Sequence, residues 1–392
     1  MKTKRSHVAG LSLALLSFAL VVASAQAGAA KPDVSKVKQT AKPVWTLAID
    51  GPRVAYMLDS RRVGVWNVAT GATSVIKGNY PSKGRNFGHG RGEVAIAGRR
   101  VGLITRFEVG NTLQTQERLY TASLGGSAHQ LGKKTNHSSS PGDCTVPGTG
   151  GADGNWIGGL VGSGTVLAVS SWKANDTATS SERLSLIAPT GVRTIASGPR
   201  GIVSQSTNGG HIAVLRSTDA WPAYQGPAEQ RTPMVGIYSP GGTLLREIAL
   251  NVPLKDPCAY PSPIIRIGLS SNQLVVLRLD SPKAGPLKAT VEVYDWKTGA
   301  LVHTWRLALS RVAPIEDRLS VSGRIAIIEG AFKLRMLDLT TGKVTTVAAS
   351  RANSPATIGS RGLVYALNPI KDNQPGKLVF VPTTKLLAAL SQ

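Results

Sequence analysis

Cysteine is almost missing from this chain of 392 residues: only Cys144 and Cys258 are present. Two thiols cannot build a four-cysteine metal site, and they exclude a fold held by a dense disulfide framework. Aromatic residues make up 5% of the sequence, with five Phe, and they are not interleaved with basic residues as in single-strand nucleic-acid binders. Acidic residues are also scarce, 22 against 45 Lys and Arg. No apolar run reaches the roughly 20 residues that a membrane span needs. Helical periodicity is nearly absent, since almost no segment repeats its apolar residues every 3.6 positions over helix length. The chain has no G-x-S-x-G elbow, no Walker loop and no G-x-G-x-x-G at a strand-to-helix junction, so the usual local signatures of hydrolase, nucleotide and dinucleotide chemistry are missing.

What is present begins at the N-terminus. Lys2, Lys4 and Arg5 precede an apolar run over residues 8–22, followed by Ala23-Ser24-Ala25-Gln26-Ala27. A basic region, an apolar region and a small-residue site in that order predict a signal peptide over residues 1–27, cleaved after Ala25 or Ala27. An uncleaved anchor is the alternative. No Cys follows the run to accept lipid, and the tail "TTKLLAALSQ" is too short for a span. The expectation is a secreted or cell-envelope protein with no transmembrane segment after processing: residues 28–42 form a linker or closing strand, and 43–392 a single domain. Removing Lys2, Lys4 and Arg5 leaves 42 basic and 22 acidic residues, a net +20. Such a field attracts phospholipid heads, phosphate-bearing wall polymers or nucleic acid, and it also serves plain solubility. The Lys and Arg residues form no block of five or six, which disfavours nucleic acid. In an exported chain the two cysteines are expected to bridge. The loop closed would be 114 residues (258 minus 144).

A short pattern, a Gly- or Ser-containing turn followed by an aliphatic strand, recurs seven times, at Val54, Val94, Val166, Ile212, Leu274, Ile325 and Leu363. A second pattern follows most of these, an outer hairpin whose turn carries Gly: "VWNVATGATSVI", "SLIAPTGVRTI", "GIYSPGGTLLREI", "VYDWKTGALVHTW" and "MLDLTTGKV". Thr-Gly or Gly-Gly between β-prone runs supplies the positive φ that a tight turn needs. The second unit's hairpin is read at "ITRFEVGNTLQT", and the seventh's at "KLVFVPTTKLLAAL". Each unit thus holds about four short strands in about 50 residues, which predicts an all-β fold: a seven-bladed β-propeller of four-stranded antiparallel blades. A string of small β-sandwiches is the rival, but each would need about 100 residues.

These repeats resemble those of secreted bacterial β-propellers with WD-repeat-like and quinoprotein-like blades. "VYDWKTGALVHTW" is similar to the quinoprotein outer-strand repeat, in which an Asp caps the turn, Thr-Gly makes it and a Trp docks on the next blade. Asp295, Thr298, Gly299 and Trp305 match in kind. Trp305 stands later after the Gly than in that family, and no other unit repeats it. The resemblance implies the fold and no quinone.

In such blades the A-to-B and C-to-D turns share one face, and the B-to-C and D-to-A connections share the other. The long segments all read as the second kind, among them 125–155, which contains Cys144, and 251–263, which contains Cys258. Long loops on a rigid scaffold commonly carry binding residues. The candidates on that face are Trp172, Trp221, Tyr224 and Tyr260 as an aromatic platform, with Lys255, Asp256, His129 and His137 beside it. Pro-rich loops also use aromatics to pack on themselves. The His and Asp spacings fit no compact metal motif, so no metal and no cofactor are expected. Carboxylates on that face are scattered: Asp143, Asp153, Asp176, Asp219, Asp256 and Asp372. The reading is a non-enzymatic scaffold for a protein or an anionic cell-wall or envelope polymer, of unknown oligomeric state. The alternative is a propeller-type polysaccharide hydrolase or lyase.

Overall fold

Each aliphatic run of the repeat forms a strand buried on both sides, and seven four-stranded antiparallel blades stand in a ring, blades 2 and 3 being joined into one sheet where Gly154 pairs with Asn136. The structure is a computed structural model that describes residues 35–59, 62–77, 92–108, 114–137, 154–174, 181–198, 202–216, 233–250, 264–280, 288–308, 318–329, 333–349, 355–369 and 374–392. Blades 1 to 6 span residues 47–77, 93–137, 154–198, 202–249, 264–308 and 319–349, each with strands A to D in chain order from the axis to the rim. Blade 7 takes strands A to C from Ala356–Gly359, Gly362–Leu367 and Gly376–Pro382. Its D strand is Lys36–Thr40, paired antiparallel from Lys36↔Phe380 to Thr40↔Gly376. The first strand of the fold therefore closes its last blade, and the domain runs as one unit from Ser35 to Gln392.

Burial follows from this geometry. A propeller sheet is covered on both faces by its neighbours, so the B strands read as continuous apolar runs. In blade 5, Leu274 and Val276 face blade 4, while Val275 and Leu277 face blade 6. Seven apolar clusters result, one at each blade interface. Fully burying one such aliphatic side chain contributes about 1.5 to 3 kcal/mol, so the ring is stabilised mainly between blades.

The D-x-x-T-G stretches are turns whose backbone groups are satisfied from within. Asp295 Oδ1 accepts the N–H of Lys297 at 2.8 Å and of Thr298 at 3.1 Å, and the Gly299 N–H bonds back to the Asp295 carbonyl at 2.7 Å. Asn67 and Asp338 do the same with Gly71 and Gly342. The second residue of each motif, Val68, Trp296 or Leu339, is buried, which fastens the turn to the blade.

Two assignments from the sequence are corrected. Blade 2 is displaced by one strand: Val94 lies in strand A (Glu93–Ala97), and strand B (Arg100–Glu108) follows the turn at Gly98. The stretch "ITRFEVGNTLQT" then spans a B-to-C connection, and the C-to-D turn is "LGGSA", with Gly125 at φ 83°. The C-terminal tail is not a D strand. Thr383–Ser391 forms helix α1, whose Leu386 and Leu390, four residues apart, enter the apolar cluster between blades 6 and 7. That leaves the last blade's edge open to Lys36–Thr40.

Candidate functional site

Strand A is the inner edge of every blade, so one row of its N–H groups has no partner within its own sheet. Side chains of a neighbouring blade supply acceptors. Glu93 accepts the Leu160 N–H at 2.9 Å, and Glu117 accepts that of Ile157. Ser204 and Ser206 accept Ile267 and Leu269 at 3.2 and 2.9 Å, Glu329 accepts Ala356 at 2.8 Å, and Asn368 clasps both backbone groups of Val44. Asp50 takes two N–H groups, from Gly98 at 2.6 Å and Gly164 at 3.1 Å, and so ties blade 1 to blades 2 and 3. These carboxylates hold the ring together.

The outer strands are tied in a different way. Their side chains reach forward to the C-to-D turn of the next blade: Arg193 to the Gly241 carbonyl at 2.8 Å, Arg246 to Thr298 at 3.2 Å and Trp305 Nε1 to Leu339 at 3.1 Å. Lys36 caps the Val68 and Ala69 carbonyls of blade 1. The docking that the Trp305 resemblance implied is thus present, and elsewhere in the ring a cation fills the same role. Those cations carry no mark of that role in the sequence, where Lys and Arg are spread along the whole chain.

The two ends of the ring differ in their connections. Every A-to-B and C-to-D turn has two to five residues, whereas the B-to-C and D-to-A connections range from two to seventeen. All long connections leave strand ends on one side. Trp172 stands on that side in strand B of blade 3 (Val166–Ala174), directly opposite Trp156 in register. His137 ends strand D of blade 2 (His129–His137) there. His129 begins the same strand just after the tight turn, which sets it at the opposite end from Trp172 and His137. Trp221, Tyr224, Lys255, Asp256, Tyr260, Cys144 and Cys258 lie outside the described residues. Among the described residues no group of three or more His, Cys, Asp or Glu side chains is placed to hold a metal ion.

One inner-strand feature was not foreseen. Gln205, in strand A of blade 4 (Ile202–Asn208), has both side-chain amide atoms buried and without a partner among the described residues. The corresponding position in other blades is apolar, as at Val94, Leu160 and Leu319. Space for the amide comes from Gly159, whose Cβ would stand 2.4 Å from Gln205 Nε2, and from a register shift between Ile157 and Leu160 that leaves Gly158-Gly159 bulged. A Gln in an otherwise apolar column, facing Gly-Gly, was the signal available in the sequence. Such a site suits a bound water. Among the described tyrosines, burial pushes Tyr56 up to about 12, and burial reinforced by the Glu292 carboxylate 2.9 Å away raises Tyr294 as well. Neither group exchanges protons near neutrality.

The fold defines a seven-bladed β-propeller closed by its N-terminal strand. No family model matches the chain, and no curated protein matches it. Several solved structures are similar to it in fold. One is a chain of the Mitotic Checkpoint Complex, with 13% identity and a TM-score of 0.45 over 89% of this chain and 93% of that one. Another is Sqt1 of Saccharomyces cerevisiae, with 9% identity and a TM-score of 0.43 over 89% and 98%. A third is the β-propeller domain of the Trilobed protease from Pyrococcus furiosus, with 10% identity and a TM-score of 0.46 over 84% and 90%. At these identities the likeness concerns the fold alone.

Proposed function

We propose that this protein is an exported, non-enzymatic scaffold that binds a protein or an anionic cell-envelope polymer through the face carrying its long connections. The observation behind this reading is the asymmetry of the ring: two to five residues at every turn of one end, up to seventeen at the other. A rigid stitched ring presents variable segments at little cost in stability. The +20 charge of the processed chain favours an anionic partner. The hydrolase alternative needs two carboxylates about 5 to 9 Å apart across a cleft. Glu93, Glu117 and Glu329 instead accept inner-strand N–H groups, and the long-connection segments offer that alternative Asp143, Asp153, Asp176, Asp219, Asp256 and Asp372. The test is retention of the processed protein on beads carrying a phosphate-bearing wall polymer, at low and at high salt. Retention that falls with salt, and falls again when Trp221 and Tyr224 are changed to Ala, supports the reading. Retention indifferent to both salt and substitution overturns it.

A further inference from the structure

The tight-turn end has a chemistry that the loop-face reading does not use. At the C-to-D turns of four consecutive blades, 3 to 6, an exposed aliphatic side chain stands beside a cation: Val192 with Arg193, Leu244 and Leu245 with Arg246, Leu301 and Val302 with Lys297, and Val344 with Lys343. All six aliphatic residues occupy the first two positions of an outer strand, so they lie at the edge of this end of the ring. They are 40 to 52% exposed, and exposed apolar side chains repeated at one end of successive blades suit an interaction surface.

The cations are positioned at the turns rather than left to wander. The Arg193 and Arg246 guanidiniums bond to turn carbonyls of the following blade, and Lys297 stands over the Trp296 ring. The carboxylates of these turns offer little to offset them. Asp295 and Asp338 are turned inward onto backbone N–H groups, and Arg324 pairs with Asp338 at 3.5 Å. Glu247 is the exposed acidic residue nearest to the row, beside Arg246 on its strand. No turn at this end exceeds five residues, and helix α1, which leaves strand C of blade 7 here, packs its Leu386 and Leu390 between blades 6 and 7 beyond the last of these turns.

From this geometry we infer that the arc formed by the turns of blades 3 to 6 docks on an anionic lipid bilayer. A basic and apolar edge suits the headgroup boundary: the cations meet lipid phosphates and the aliphatic side chains enter the layer beneath. A soluble polyanion would satisfy the cations and leave the aliphatic residues in water. A long-connection face on the opposite end would then point away from the membrane. The inference uses other residues than the proposed function does, so each fails alone.

The test is sedimentation of the processed full chain with vesicles of phosphatidylglycerol and phosphatidylcholine, against vesicles of phosphatidylcholine alone, with soluble polyphosphate as competitor. At roughly fivefold per cation near an anionic surface, the combined variant Arg193→Gln, Arg246→Gln, Lys297→Gln and Lys343→Gln weakens binding on the order of several hundred-fold. Leu244→Ser, Leu245→Ser, Leu301→Ser and Val302→Ser together, all at exposed positions, weaken it at least about tenfold. Lys333→Gln with Lys377→Gln, exposed at the other end, changes it less than about twofold. Circular dichroism melts of every variant check that the ring is intact, and Arg193→Lys with Arg246→Lys, which keeps the charge, should retain most binding. No binding to the anionic vesicles overturns the inference. So does a serine variant that binds as the parent does while polyphosphate competes, which would identify a linear polymer as the occupant. Self-association lost in the serine variant without vesicle binding would identify a second copy and overturn it too.

Discussion

The two ends of the ring are built from the same strands and differ in what they ask of the sequence. At the tight-turn end four of the five positions of a D-x-x-T-G turn have a structural role, with a side-chain acceptor first, a buried residue second, a hydroxyl acceptor fourth and glycine fifth. At the other end the strand pair needs only to be joined. Arg216 and Met234 are directly paired in register, although seventeen residues separate them in the chain. Length and composition can therefore vary there without disturbing the ladder. The fold is thus specified at the tight-turn end and leaves the sequence free at the other.

Opening the ring removes the scaffold that both ends share. Deleting residues 35–40 removes the D strand of blade 7 and exposes the edge of its C strand. The expected result is the largest loss of all, with a broad low-temperature melt in place of a cooperative one, read by circular dichroism and by proteolysis.

A smaller effect is expected at one turn. Gly342 has φ 73°, and a Cβ there would stand 2.3 Å from the Trp305 ring. Gly342→Ala should cost about 3 kcal/mol, the sum of a left-handed backbone and an overpacked contact. Gly71 has φ 80° and nothing within 4 Å of the added carbon, so Gly71→Ala should cost about 1 kcal/mol. Equal losses in urea melts of the two variants would mean that the close approach of Trp305 contributes nothing.

Asp50→Ala leaves the N–H groups of Gly98 and Gly164 without their acceptor and should cost about 2 kcal/mol in the same urea melts. Alkali provides a further probe. The folded pKa of Tyr56 is raised to about 12 by burial against an ordinary value of 10.0. The neutral phenol therefore contributes stability that is fully present below pH 10.0 and is lost as pH rises towards 12. Tyr56→Phe should flatten this part of the stability profile, and an unchanged profile would rule the phenol out as its source. The smallest effect belongs to the other end of the ring. Replacing residues 217–232 with a four-residue Gly-Ser link should change stability by less than about 1 kcal/mol, because closure entropy varies slowly with loop length. Under the proposed function the same replacement abolishes polymer retention.

Much of this architecture could be read from local pattern. "NVATG", "DWKTG" and "DLTTG" carry their turn within five residues, since acceptor, hydroxyl and glycine all act on backbone groups of the same segment. Blade 2 escapes that reading because its real turn, "LGGSA", has no Asp or Asn at the first position, while Gly110 in "EVGNT" imitates one. The tail escapes it because a nine-residue helix buries only one i to i+4 apolar pair, Leu386 and Leu390. The site is less legible than the fold. Trp172 and His137 can be placed at the long-connection end from strand order, but His129 moves to the opposite end once blade 2 shifts by one strand.

Outside blade 2 and the tail, local chemistry alone determined the strands and their turns, and with them the count of blades, because each depends on residues close together in the chain. Only the tertiary structure decided that Lys36–Thr40 completes a blade more than 300 residues away and that Asp50 joins three blades. It also decided that four separate Val, Leu, Arg and Lys groups stand as one arc. Those contacts join segments that carry no mark of each other, and they exist because closing the ring brings every blade's edge against the next.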